Sequence, residues 1–116
     1  MDIEKTEDRK WKLSKQLNDL MKQQNELDRL KRKIIHFDEE NEWQNKRTKE
    51  LNESLMEHYP SDIRLINTLV EKEQLLYRKI SAENAFMQEC EEIIKQQRNR
   101  IESMEEEYKR ELYELD

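Results

Sequence analysis

The chain has one proline and no glycine in 116 residues, so there is a single strong place for it to reverse. That place is His58-Tyr59-Pro60-Ser61-Asp62, at the midpoint. Pro60 lacks a backbone N–H, fixes its own φ and pushes Tyr59 out of the α region, while Ser61 and Asp62 are residue types that start helices. One long helix should end here and a second begin.

The rest of the chain supports two helices. In the second half Ile66, Leu69, Glu73, Leu76, Ile80, Glu83, Met87, Cys90, Ile94, Gln97, Ile101, Met104, Tyr108, Glu111 and Leu115 follow one another in steps of three and four. That spacing is a coiled-coil seam, which a loop, strand or disordered tail does not produce. In the first half a seam can be traced through Leu13, Leu17, Leu20, Gln24, Leu27, Leu30, Ile34, Phe37, Asn41, Gln44, Thr48, Leu51 and Leu55. Two successive steps of three, Gln24 to Leu27 and Leu27 to Leu30, break its alternation, an irregularity that resembles a stammer. The expectation is an all-α, elongated antiparallel helical hairpin, a coiled coil forming a single domain over 1–116. Helix 1 covers about 4–57, helix 2 about 62–114, and the turn lies at 58–62. Folding at Pro60 brings Leu55 near Leu65 and Leu20 near Ile101.

Composition explains why such a hairpin needs company. The chain is 34% hydrophobic and 43% charged, with a mean hydropathy of −1.30, so a lone pair of helices has little core to bury. A dimer or hetero-complex would cover what one hairpin leaves wet. The net charge of −6 argues against a nucleic-acid partner, since a phosphate backbone is met by a basic surface. Acidity gathers at the end: over 101–116, seven acids oppose two bases. This acidic end admits a minor reading as a regulator that occupies a nucleic-acid-binding protein. Cys90 is the only cysteine, which excludes an internal disulfide and fits a reducing cytosol. The opening Met1-Asp2-Ile3-Glu4-Lys5 has no apolar signal-like stretch, and no run is long enough to insert in a membrane.

Few residues suggest chemistry. Glu73 and Glu83 stand ten apart and do not form the Glu-x-x-His pattern of a di-iron bundle. His36 and Glu40 share a face, but His58 is distant at the turn. No metal site follows, no cofactor is expected, and neither a Cys-His nor a Ser-His-Asp set can be nominated. A chain without glycine has no phosphate-cradling loop, so the expectation is no enzyme. The basic run Arg29-Leu30-Lys31-Arg32-Lys33 reads as a solvated helix face.

The informative residues lie off the seam. Trp11, Met21, Ile35, Trp43, Met56, Val70, Tyr77, Phe86, Ile93 and Leu112 are large and apolar where a two-stranded coil needs only a narrow stripe. Trp43 together with Phe86, Met87, Cys90, Ile93 and Ile94 is the candidate partner-binding set, and Tyr59, Pro60, Ser61 and Asp62 form the turn.

Three features carry a family resemblance. They are a polar heptad helix containing Ile35-His36-Phe37-Asp38-Glu39-Glu40-Asn41-Glu42-Trp43-Gln44-Asn45-Lys46-Arg47, a short central turn, and an acidic helix ending Tyr108-Lys109-Arg110-Glu111-Leu112-Tyr113. The layout resembles the small α-helical proteins encoded beside LXG toxins in bacterial type VIIb secretion clusters, elongated relatives of the WXG-like helical hairpin. The resemblance implies a cytoplasmic targeting chaperone, co-exported or left behind. It would pack beside the helical N-terminal domain of its toxin and a second small helical protein. Two departures are visible. The turn reads Tyr59-Pro60-Ser61 rather than Trp-x-Gly, and no Phe-x-x-x-Asp export pattern occurs, since Cys90 stands four residues after Phe86. The resemblance therefore implies the partner that stabilises the toxin rather than the one that displays the signal. The alternative is a structural homo-oligomeric coiled coil in which Pro60 merely kinks a continuous helix.

Overall fold

The computed structural model describes residues 2–116; Met1 lies outside them. Two helices account for nearly all of the described chain: α1, Ile3–His58, and α2, Ile63–Leu115. The protein is an antiparallel helical hairpin, and its ends fall within a residue of the expected 4–57 and 62–114. The helix is interrupted at position 60, which disposes of the merely kinked rod.

Each helix start is capped by an aspartate. Asp2 Oδ1 accepts from the Glu4 N–H at 3.1 Å and its carbonyl from Thr6 at 3.2 Å. Asp62 is the N-cap of α2: its Oδ1 accepts from the Leu65 N–H at 3.0 Å and its carbonyl from Ile66 at 2.9 Å. These bonds satisfy N–H groups that the first helical turn leaves without partners. Between the helices the Asp62 N–H donates to the Tyr59 carbonyl at 3.2 Å, closing a β-turn with Pro60 at its second position. No described residue has a positive φ, which rules out a type II turn and fits type I, where proline is favoured at that position. His58 finishes α1 by donating from Nδ1 to the Ser54 carbonyl at 2.7 Å.

The hairpin divides into two compact units, Met1–Arg32 with Glu91–Asp116, and Lys33–Cys90. In the first, Leu13, Leu20 and Leu27 repeat every seven residues on α1, and Ile94 and Ile101 do so on α2; all five are buried. Burial of each such side chain contributes about 1.5–3 kcal/mol. Polar contacts flank this aliphatic core. Arg9 pairs with Glu111, Lys10 with Asp116 and Arg98 with Asp28, while Arg100 donates to Gln23 Oε1 at 3.1 Å. From Arg9–Glu111 through Gln23–Arg100 to Asp28–Arg98, partners of rising number on α1 meet partners of falling number on α2, as antiparallel packing requires.

The second unit is built differently. Its buried apolar residues are Leu69 and Leu76, both from α2, whereas α1 contributes Asn45 and Asn52. Here the α1 seam departs from expectation. Leu30, Phe37, Gln44 and Leu51, read above as seam residues, are exposed. The inward positions instead continue the unbroken alternation from Leu27 through Lys31, Ile34, Asp38, Asn41, Asn45, Thr48, Asn52 and Leu55. Lys31 and Thr48 stay exposed, and the others are buried or half-buried. There is no stammer. Heptad continuity decides the register, and Leu30, Phe37 and Leu51 line up one position before the seam. The α2 seam is as expected apart from Gln97, which is exposed and accepts from Arg100 Nε at 3.1 Å.

Candidate functional site: an exposed aromatic and aliphatic flank

The six residues nominated from the sequence fall into two groups. Trp43, Phe86 and Ile93 are 59%, 49% and 57% exposed. Met87, Cys90 and Ile94 occupy seam positions: the first two are half-buried, and Ile94 belongs to the buried core of the first unit. The four turn residues lie where they are expected, with Asp62 doing the capping. Of the remaining flank, Trp11, Met21, Ile35, Val70 and Tyr77 are exposed, while Met56 and Leu112 are half-buried.

Within the second unit, Phe86 does not stand alone. Its ring meets Phe37 edge-to-face, with centroids 6.2 Å apart and planes at 73°, the arrangement favoured by aromatic quadrupoles. Both rings remain about half exposed, so the pair is an apolar surface feature carried jointly by the two helices. Hydrophobic spacing places Phe37 in the seam and so misses it as a surface residue; the available signal is that unbroken alternation from Leu27 reaches Asp38, one position further on. Trp43, on α1, has the Arg47 guanidinium 4.6 Å from its ring centroid, and Lys15 sits 5.4 Å from that of Trp11. Such cation–π contacts add about 0.5–1 kcal/mol at exposed sites and hold each indole in place on the surface.

Glu83, an acid at a seam position, has partners. Asn45 donates from Nδ2 to Glu83 Oε2 at 3.0 Å, Lys79 Nζ donates to Asn45 Oδ1 at 3.0 Å, and Lys79 pairs with Glu83 at 3.5 Å. An unpaired carboxylate here would be costly; bonded in this way, it ties α1 to α2 in one register. Asn52, one heptad along, has a buried Nδ2 with no hydrogen-bond partner. Beside the Asn45 network lies an open cleft of about 350 Å³ whose lining includes Asp38, Lys49, Glu83 and Asn84. It is charged and shallow, unlike the enclosed apolar cavities that take small organic ligands.

No group of three or more metal-ligating side chains occurs among the described residues. His36 Nε2 meets Glu40 Oε1 at 3.1 Å on an exposed face. Among the described residues no helix is long and apolar enough to cross a membrane. The fold and surface together define an all-α helical hairpin with coiled-coil-like spacing and an uncovered apolar flank. No known protein family, curated protein or solved structure matches the chain.

Proposed function

We propose that this chain is a non-enzymatic adaptor or chaperone that binds a second helical protein. The observation that carries this reading is the contrast between core and surface. The second unit has two buried apolar side chains, while the Phe37–Phe86 pair and Trp43 of that unit stay largely in solvent, as does Ile93 of the first unit. Aromatic side chains held rigidly at a surface are the typical anchors of protein interfaces, and an amphipathic helix is the partner whose periodicity fits a helical face. The resemblance to LXG-toxin partners makes the reading more specific. The partner is then the helical N-terminal domain of such a toxin, bound in the cytoplasm for delivery to the type VII secretion machinery, with or without a second small helical protein.

Co-expression with the toxin domain encoded by the neighbouring gene tests this directly. A stable complex is expected, with a higher melting temperature than either component, and Trp43→Ala or Phe86→Ala should each weaken it about tenfold or more. If the two proteins elute separately and neither raises the other's melting temperature, the proposal fails.

A further inference from the structure

In a chain that is 43% charged, the outward side of a helix is normally charged, and α2 conforms from Glu89 onward. Between Lys79 and Glu89 it does not. Within 80–88 the single charged residue is Glu83, and its carboxylate is bonded to Asn45 rather than offered to solvent. Ile80 and Met87 occupy seam positions. What remains outside is Ser81, Ala82, Asn84, Ala85, Phe86 and Gln88, all exposed and including the only two alanines of the chain.

This uncharged window sits in a second stripe. Leu75, Lys79, Ala82, Phe86 and Glu89 are all exposed and follow one another in steps of four, three, four and three. It is the seam spacing again, one position earlier, so the stripe runs along the flank of α2 that borders α1. When two such stripes pack antiparallel, residues that precede a three-step face residues that follow one, as in any antiparallel coil. The stripe is self-complementary in that arrangement. About a two-fold axis at Asn84, Lys79 meets Glu89 of a second copy and Ala82 meets Phe86 of a second copy, and the symmetry repeats both pairs. Base faces acid, and the largest side chain faces the smallest. A parallel register would set Lys79 against Lys79 and Phe86 against Phe86, matching neither charge nor size.

We propose that two copies of this chain associate antiparallel through this flanking stripe of α2, with Ala82 and Phe86 at the centre and two Lys79–Glu89 pairs outside them. Phe37, already packed on the edge of Phe86, widens the contact from α1. The area sets the strength. The stripe runs roughly 20 Å at 1.5 Å per residue and is about 10 Å wide, which is less than the ~800 Å² per partner of a standard stable interface. At about a quarter of that footprint the dimer is weak and reversible, populated only toward high protein concentration. The dimer shares Phe86 with the partner surface proposed above, so the two would compete for it, whereas Trp43 lies on α1 and belongs to the partner surface alone.

Sedimentation equilibrium of the full chain from micromolar to millimolar concentration tests it, with circular dichroism confirming that each variant stays helical. A reversible dimer is expected. Ala82→Arg, which fills the space taken by the opposing phenylalanine, and Glu89→Lys, which sets like charges together twice, should each weaken it about tenfold or more. Combining Lys79→Glu with Glu89→Lys should restore most of what the single reversal loses. Trp43→Ala should leave dimerisation unchanged while still weakening any toxin complex, so the two proposals can fail separately. A chain that stays monomeric at every concentration overturns the inference, as does a dimer indifferent to both Ala82→Arg and Glu89→Lys. Lys79 also bonds Asn45; should the double reversal unfold, Ala82→Arg and Glu89→Lys decide the matter, since they disturb no contact of the seam.

Discussion

Asn45 and Asn52 occupy equivalent seam positions one heptad apart, and replacing each by leucine should move stability in opposite directions. Asn52 is 4% exposed and its Nδ2 has no partner; a buried polar group left in that state costs about 1–3 kcal/mol. Leucine there removes that cost and gains about 1.5–3 kcal/mol of apolar burial, less about 1 kcal/mol for imperfect fit. Asn52→Leu should stabilise by about 3 kcal/mol, which at this chain length is roughly 12 °C in melting temperature. Asn45 is buried as well, but its amide bridges Lys79 and Glu83. Asn45→Leu makes the same apolar gain while losing two charge-assisted bonds worth about 1.5–3 kcal/mol each, and it leaves the Glu83 carboxylate at the seam with Lys79 alone. A net loss of about 3 kcal/mol is expected. Urea unfolding followed by far-UV circular dichroism, at one fixed protein concentration, measures both. If the two variants shift stability in the same direction, the polar seam does not work as described.

Two further substitutions test the fold. Leu13→Ala, at a fully buried position, should cost about 3 kcal/mol, whereas Leu51→Ala, at an exposed one, should cost under about 0.5 kcal/mol; comparable losses in denaturant unfolding would return Leu51 to the seam. Asp62→Ala removes the α2 cap and should cost about 1 kcal/mol, while Asp62→Asn, which keeps an acceptor, should lose far less by the same measurement.

The turn and the α2 seam are legible in the sequence for definite reasons. Pro60 forbids helix, Asp62 invites it, and the inward positions of α2 between Ile66 and Ile101 are mostly apolar, so hydrophobic periodicity and geometric periodicity coincide. In α1 they part after Leu27. Following apolar side chains leads to Leu30, Phe37 and Leu51, while the backbone carries the seam on to Ile34, Asp38, Asn45 and Asn52. Hydrophobicity misleads where the true interior is polar; unbroken three-four alternation is the better guide. The same slip hides the exposed half of the Phe37–Phe86 pair. The Asn45–Lys79–Glu83 network cannot be read from sequence at all, because it depends on which turn of α1 lies across from which turn of α2, and that register emerges only once the hairpin has closed. Ile94 joins the partner-binding set on sequence grounds because its neighbours are apolar. Its seam position, visible in the same spacing, explains why it is buried instead.

The difference between the two cores matters for how such a chain zips up. Asn45 and Glu83 are 38 residues apart along the chain, and Arg9 and Glu111 are 102 apart, so the first encounter closes a short loop and the second a long one. Directional amide and carboxylate contacts thus lie where the ends find each other soonest, and they reject a misaligned approach before much chain has been committed. The leucines and isoleucines that dominate the other unit discriminate less between sliding arrangements, because apolar burial has no direction.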